Sequence, residues 1–271
     1  MISRKELTET LSLSCIESYF LAWLAKHYDI TKLYGHSFIP LKRVFTDFAV
    51  GARYENYRGV PRIQDRAEDC GITAHEFYPL PERSAWTGEE ALKYVRTADE
   101  NNLCLIRVNE KFFDDSKLRA WRDDHYICVD KNLHWANQYP LSEGVFSEAR
   151  FKEIFGGAVC AYFCNDTTKE MPDDNKEGIK NQKDFKISCS LTLMQLESAV
   201  GIMRITRARM SEYYAEQLEV SELYKAEVNI LNKMYFDIHR KLLRQGNELI
   251  DVSGIIEELS AIERKIAEEI V

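Results

Sequence analysis

Cys15 sits between Ser14 and Ile16 at the opening of the stretch TLSLSCIESYFLAWLAKHYDI, residues 10–30. Ser14 followed three residues on by Glu17 matches the S-x-x-E capping box, with Ser14 as N-cap and Glu17 at the third helical position. Ile16, Phe20, Trp23, Leu24 and His27 then recur at helical spacing as one apolar stripe, over a helix read as 15–28. Cys15 therefore falls at the first helical position, where unpaired N–H groups and the helix dipole stabilise an anion. A thiol placed there is expected to ionise more readily than a free one and to act as a nucleophile. The plain alternative is a small cysteine packed in the core.

A thiolate nucleophile needs an imidazole partner, and the imidazole needs a third group to orient it. The histidines are His27, His36, His75, His125, His134 and His239. His27 lies on the apolar stripe and His239 in the C-terminal helices, so both read as packing or surface residues. His36 and His75 fall in expected loops without a partner motif. His125 opens a strand after a charged turn, in WRDDHYICV, so its ring is expected to stand at a sheet end. The returning strand WANQYP brings Asn137 or Gln138 beside it, depending on register; Asn137 is preferred and Gln138 is second. Either amide oxygen can accept the imidazole N–H and fix its tautomer. Asp130 sits too near the hairpin tip to do this, and His134 follows the turn, away from the strand end.

These residues need a scaffold. Helices are expected at 15–28, 40–53, 60–70 and 88–99, and the apolar run LCLIRVN (103–109) reads as a strand. Residues 123–140 read as two strands joined around Lys131-Asn132, followed by a short helix capped by Ser147 and a strand at 157–164. Helices followed by an antiparallel sheet predict an α+β domain over residues 1–165. The polar segment 166–186 reads as a linker or surface loop. Beyond it, three amphipathic helices predict an α-helical bundle over 187–271, with Gln245-Gly246-Asn247 as a stop before the last helix.

Composition narrows the function. A chain of 271 residues, 45% hydrophobic and 30% charged, can bury a core without metals or disulfides. An odd number of cysteines at irregular spacing points to free thiols in a reducing compartment, and with no signal peptide or membrane-length apolar run the expectation is a cytoplasmic protein. A net charge of −8 disfavours nucleic acid. Within that acidic chain, residues 42–66 carry Lys42, Arg43, Arg53, Arg58, Arg62 and Arg66 against Asp47, Glu55 and Asp65, which reads as a solvated face or as a dock for an acidic partner. Cys160 and Cys164 share one side of a strand but lack companions at zinc-ligand spacing, so no metal site is expected. Neither G-x-x-x-x-G-K-[ST] nor G-x-G-x-x-G occurs, which removes the usual signs of nucleotide use.

Cys15 at a helix start, DDHYICV, WANQYP, LSEGVFSEARFKEIF and a closing apolar strand together resemble a papain-like cysteine peptidase fold. With SFIPLKRVFTDFAVG and GVPRIQDRAEDCGI, the order over about residues 10–164 resembles the butirosin biosynthesis acyltransferase (BtrH-like) family. The resemblance implies transfer of an acyl group from a carrier-protein thioester, through a cysteinyl thioester, to an amine. It implies Cys15 as nucleophile, His125 as general base and acid, and Asn137 as orienter. It implies no cofactor, because the acyl donor arrives on the phosphopantetheine arm of an acyl or peptidyl carrier protein. Carrier proteins are acidic, which matches docking near Lys42, Arg43, Arg58 and Arg62. Two departures stand out: Asn137-Gln138 replaces the Asp-Pro of related peptidases, and Glu9 occupies the place of the papain oxyanion glutamine. Both speak against the alternative of a cysteine hydrolase, peptidase or amidase; a non-catalytic binding protein is the third class.

Overall fold

The structure, a computed structural model, describes residues 2–54, 57, 59–60, 62–65, 86–99, 101–113, 125–163, 179 and 190–270. It is α+β, with a five-stranded antiparallel sheet and a helical C-terminal region. In chain order the helices and strands begin with α1 (Arg4–Thr8), α2 (Cys15–Leu24), α3 (Leu41–Ala49) and α4 (Gly88–Thr97). The sheet strands follow: β1 (Asn102–Val108), β2 (His125–Val129), β3 (His134–Asn137), β4 (Ser142–Val145) and, after α5 (Glu148–Ile154), β5 (Phe155–Phe163). The C-terminal region holds β6 (Ser190–Thr192), α6 (Leu193–Tyr213), α7 (Leu218–Gln245), β7 (Leu249–Asp251) and α8 (Ser253–Glu269).

The chain divides into two compact units, one of residues 1–30 and 64–169, the other of 31–63 and 170–271. Residues 31–63 therefore group with the C-terminal helices, where the sequence reading put them with the sheet. The expected linker 166–186, apart from the buried Ile179, and the greater part of the expected helix 60–70 lie outside the described residues, as do His75 and Cys164.

In the first unit the strand order is β4-β3-β2-β1-β5. LCLIRV is apolar at nearly every position because both faces of β1 are covered. One face carries Cys104, Ile106, Val108 and Ile127, packed with Ala91 and Val95 of α4 and Phe151 and Ile154 of α5. The other face carries Leu103, Leu105, Cys128 and Tyr162, and α2 lies on it, with the Phe20 ring 5.2 Å from that of Tyr162. Helix α4 starts at a full capping box in which Thr87 and Glu90 satisfy each other's backbone N–H groups. Ser147 caps α5 by accepting the Arg150 N–H.

In the second unit α3 buries Leu41, Val44, Phe45 and Phe48 completely, and the Gln195 side chain of α6 donates to the Phe48 carbonyl oxygen. Helices α6, α7 and α8 carry the expected apolar stripes, and Gly246, at φ 82°, follows the end of α7. Two fully buried arginines of α6, Arg207 and Arg209, break the pattern. Arg207 lies fully buried on α6, paired with Glu227 of α7 and Glu263 of α8, with its guanidinium 4.8 Å from the centre of the Phe38 ring. Burial raises the Glu227 carboxyl above the usual range, the Arg207 charge pulls against it, and the nearby Glu263 adds to the rise. Among the described residues no helix is long and apolar enough to cross a membrane.

Candidate active site

Cys15 is the first residue of α2, and Ser14 is its N-cap, accepting the Glu17 N–H at 3.2 Å. The return arm of the expected capping box takes a different route. Glu17, fully buried, accepts from the Leu13 N–H, one residue before the cap. The helix ends at Leu24, earlier than expected, so His27 lies beyond it and is exposed instead of completing the apolar stripe.

His125 and Asn137 meet directly. The strand register pairs Cys128 with Ala136, which sets Asn137 across from Ile127 and diagonal to His125 on one face. The imidazole Nε2 lies 2.8 Å from Asn137 Oδ1. The amide orientation follows from its other bond, because Asn137 Nδ2 donates to the Pro140 carbonyl oxygen at 3.0 Å. Oδ1 is then an acceptor, so His125 donates from Nε2 and keeps Nδ1 as the basic nitrogen. The hairpin turn uses Asp130 locally: it accepts the N–H groups of Asn132 and His134, and its other oxygen meets His134 Nδ1 at 3.2 Å. Gln138 contributes its backbone N–H to a different partner, Tyr19.

The His125 ring is buried, at 6% exposure, where the sequence reading expected an open sheet end. Phe113 packs edge-on against it at 5.2 Å and Phe112 stacks at 6.5 Å, both from the 3-10 turn that follows β1. Burial lowers the imidazole pKa below its ordinary value, and the hydrogen bond to Asn137 opposes that shift. The ring is consequently neutral at pH 7, the protonation state a base requires.

Tyr19 links the helix to this pair, and the sequence reading missed it. It lies four residues after Cys15 on α2, the spacing that brings two helical side chains together. Its hydroxyl accepts the Gln138 N–H at 3.0 Å and donates to the Tyr126 carbonyl oxygen at 3.1 Å. Asn137 Oδ1 is 3.5 Å from the same oxygen. The hydroxyl thus stands between β2 and β3 where their ladder opens. Burial first, and then the adjacent Cys15, push the Tyr19 pKa well above normal and keep the phenol protonated. Cys15 and His125 reach this end of the sheet from different sides. Helix α2 covers the Leu105 and Cys128 face, whereas His125 starts on the face of Ile127.

Among the described residues no cysteine forms a disulfide, and no group of three metal-ligating side chains occurs. Cys160 is buried in β5. His36 closes the 3-10 turn Ile30–His36, and His239 pairs with Glu197 on the surface of the helical region. Of the expected docking residues, Lys42 and Arg43 are exposed on α3, Arg62 is half-buried, and Arg58 lies outside the described residues. These belong to the second unit, while Cys15, His125 and Asn137 belong to the first. Comparison of the chain with family models, with curated proteins and with solved structures finds no match.

Proposed function

We propose that this protein is a cysteine-dependent acyltransferase of natural-product assembly, with a papain-like catalytic fold akin to the BtrH-like family. It moves an acyl group from a carrier-protein thioester to an amine and forms an amide. The observation that carries the reading is the connected series Cys15, Tyr19, Asn137, His125: a helix-starting thiol, on the helix whose next turn reaches the amide that orients a neutral imidazole. In the first half-reaction the Cys15 sulfur attacks the thioester carbonyl, the carbon–sulfur bond to the carrier arm breaks, and the departing thiolate takes the Cys15 proton by way of His125. In the second, the amine nitrogen attacks the acyl-cysteine, His125 takes its proton and returns it to the Cys15 sulfur as that bond breaks. The backbone N–H groups at the start of α2 are the natural donors to the oxyanion. Lys42 and Arg43, exposed on α3, fit an acidic carrier.

A second reading has its own support. The enclosure of His125 by Phe112 and Phe113 also suits a binding protein that keeps the fold without the chemistry. Intact mass after mixing the full chain with an acyl-loaded carrier separates the two. The transferase gains the acyl mass on Cys15, loses that gain in Cys15→Ala, and slows its formation by roughly 10²–10⁴ in His125→Ala. No adduct on the wild-type protein would leave the binding reading. Rapid release of free acid without amine would make it a hydrolase.

A further inference from the structure

Helix α7 runs for 28 residues, about 42 Å, and keeps one face exposed along its length. Val220, Tyr224, Leu231 and Ile238 point into the helical unit. The opposite face carries Leu218, Glu222, Lys225, Phe236, Arg240 and Leu243, all of them exposed. Leu218, Phe236 and Leu243 are 67%, 73% and 77% exposed. A single apolar side chain in water is ordinary, but three on one stripe of one helix make a seam that a partner could bury.

The order of charges beside that seam selects the partner. The helix begins acidic, with Glu219 and Glu222 exposed, and Glu219 shares a hydrogen bond with Glu269 of α8 that raises the Glu269 carboxyl above its ordinary range. It ends basic, with Arg240, Lys241 and Arg244 exposed. Within the chain Glu222 pairs with Lys225 at 2.8 Å and Asp237 with Arg240 at 2.8 Å, and all four side chains remain at least half exposed. With a second α7 laid antiparallel on this face, residues equally far on either side of Ile230-Leu231 meet. Leu218 then faces Leu243, and the Lys225 stem and ammonium lie against the second copy's Phe236. On one flank of the seam Glu222 comes beside Arg240, and Glu219 beside Arg244. A parallel pairing would instead set each charge beside its own copy.

We propose that α7 is the contact of a two-fold symmetric dimer, packed antiparallel against α7 of a second copy of this chain, with Leu218, Lys225, Phe236 and Leu243 along the seam and Glu222 beside Arg240 on its flank. The same patch is used by both copies, so the assembly closes at two. One helix from each chain makes a contact at the small end of stable interfaces, so dissociation is expected at about 10 µM. The dimer is independent of acyl transfer.

The test is sedimentation velocity on the full chain. The wild-type protein should pass from monomer to dimer between about 1 and 100 µM. Glu222→Arg and Arg240→Glu should each raise the dissociation constant at least about tenfold, because either homodimer then holds two like-charge contacts. Mixed in equal amounts, the two variants should dimerise with each other as readily as the wild type, since every reversed charge meets its opposite. Should one of them fail to fold, Glu219→Lys and Arg244→Glu, also exposed, give the same mixing test. Phe236→Ser should weaken the wild-type dimer by a similar factor. A wild-type chain still monomeric at about 100 µM overturns the dimer. A dimer indifferent to both charge reversals overturns the choice of face, and a mixture that stays monomeric overturns the antiparallel pairing.

Discussion

Cys15 is half-buried, while Cys104, Cys128 and Cys160 are buried in the sheet. Burial pushes the Cys104 and Cys128 thiols up to about 12, so almost none of either is thiolate at neutral pH. Alkylation follows the thiolate and its access to solvent. Iodoacetamide at pH 7.5 should therefore modify Cys15 ahead of Cys104, Cys128 and Cys160 by at least about 100-fold, read by peptide mapping over a time course. Comparable modification of Cys104 or Cys128 in the folded protein would remove the basis for Cys15 as nucleophile. The place of Cys15 was legible because a helix start has a local signature: Ser14 and Glu17 both approach the first turn, although the carboxylate bonds Leu13. The burial of His125 was not legible. Phe112 and Phe113, which enclose it, sit in a short 3-10 turn with no hydrophobic period to say which way they face.

At the scale of elements, the place of the hairpin was readable because Lys131-Asn132 marked the turn, but its register was open between Asn137 and Gln138 until the pairing of Cys128 with Ala136 fixed it. Tyr19 was not readable, because its job depends on a gap between β2 and β3 that neither strand announces. The two residues around His125 should separate cleanly on substitution. Asn137→Ala removes the hydrogen bond that holds the imidazole pKa up, so burial acts unopposed and the His125 pKa should fall further below its ordinary value. Tyr19→Phe leaves that bond in place but strips the hydroxyl from the Gln138 N–H and the Tyr126 carbonyl. It should cost roughly 1–3 kcal/mol of stability and leave the His125 titration nearly unchanged. NMR titration of the imidazole and denaturant unfolding measure the two effects. A His125 pKa that rises in Asn137→Ala would mean that the amide is not the group steadying the ring.

Across the whole molecule, the change from polar to amphipathic sequence near residue 187 marked where the helical region begins, and the helices after it were readable from their stripes. That residues 31–63 belong with them was not readable. The amphipathic face of α3 names which residues are buried but carries no label for the partner, and its partners on α6 and α8 lie about 150 residues or more downstream. Arg207 also hid the unit's centre, since an arginine on a helix reads as surface until Glu227 and Glu263 are seen around it. This discontinuous arrangement makes a definite prediction for a chain cut after residue 180. Leu41, Val44, Phe45 and Phe48, all fully buried, would lose the helices that cover them. Each such side chain is worth about 1.5–3 kcal/mol on burial, so the exposed face forms a strong apolar patch. The 1–180 fragment should bind anilinonaphthalene sulfonate more strongly than the full chain does and self-associate on size exclusion. Replacing residues 31–63 of that fragment with a Gly/Ser linker should suppress both effects, because the patch goes with the segment. If the 1–180 fragment instead behaves like the full chain in both measurements, residues 31–63 are packed within the sheet unit and the division into two units is wrong.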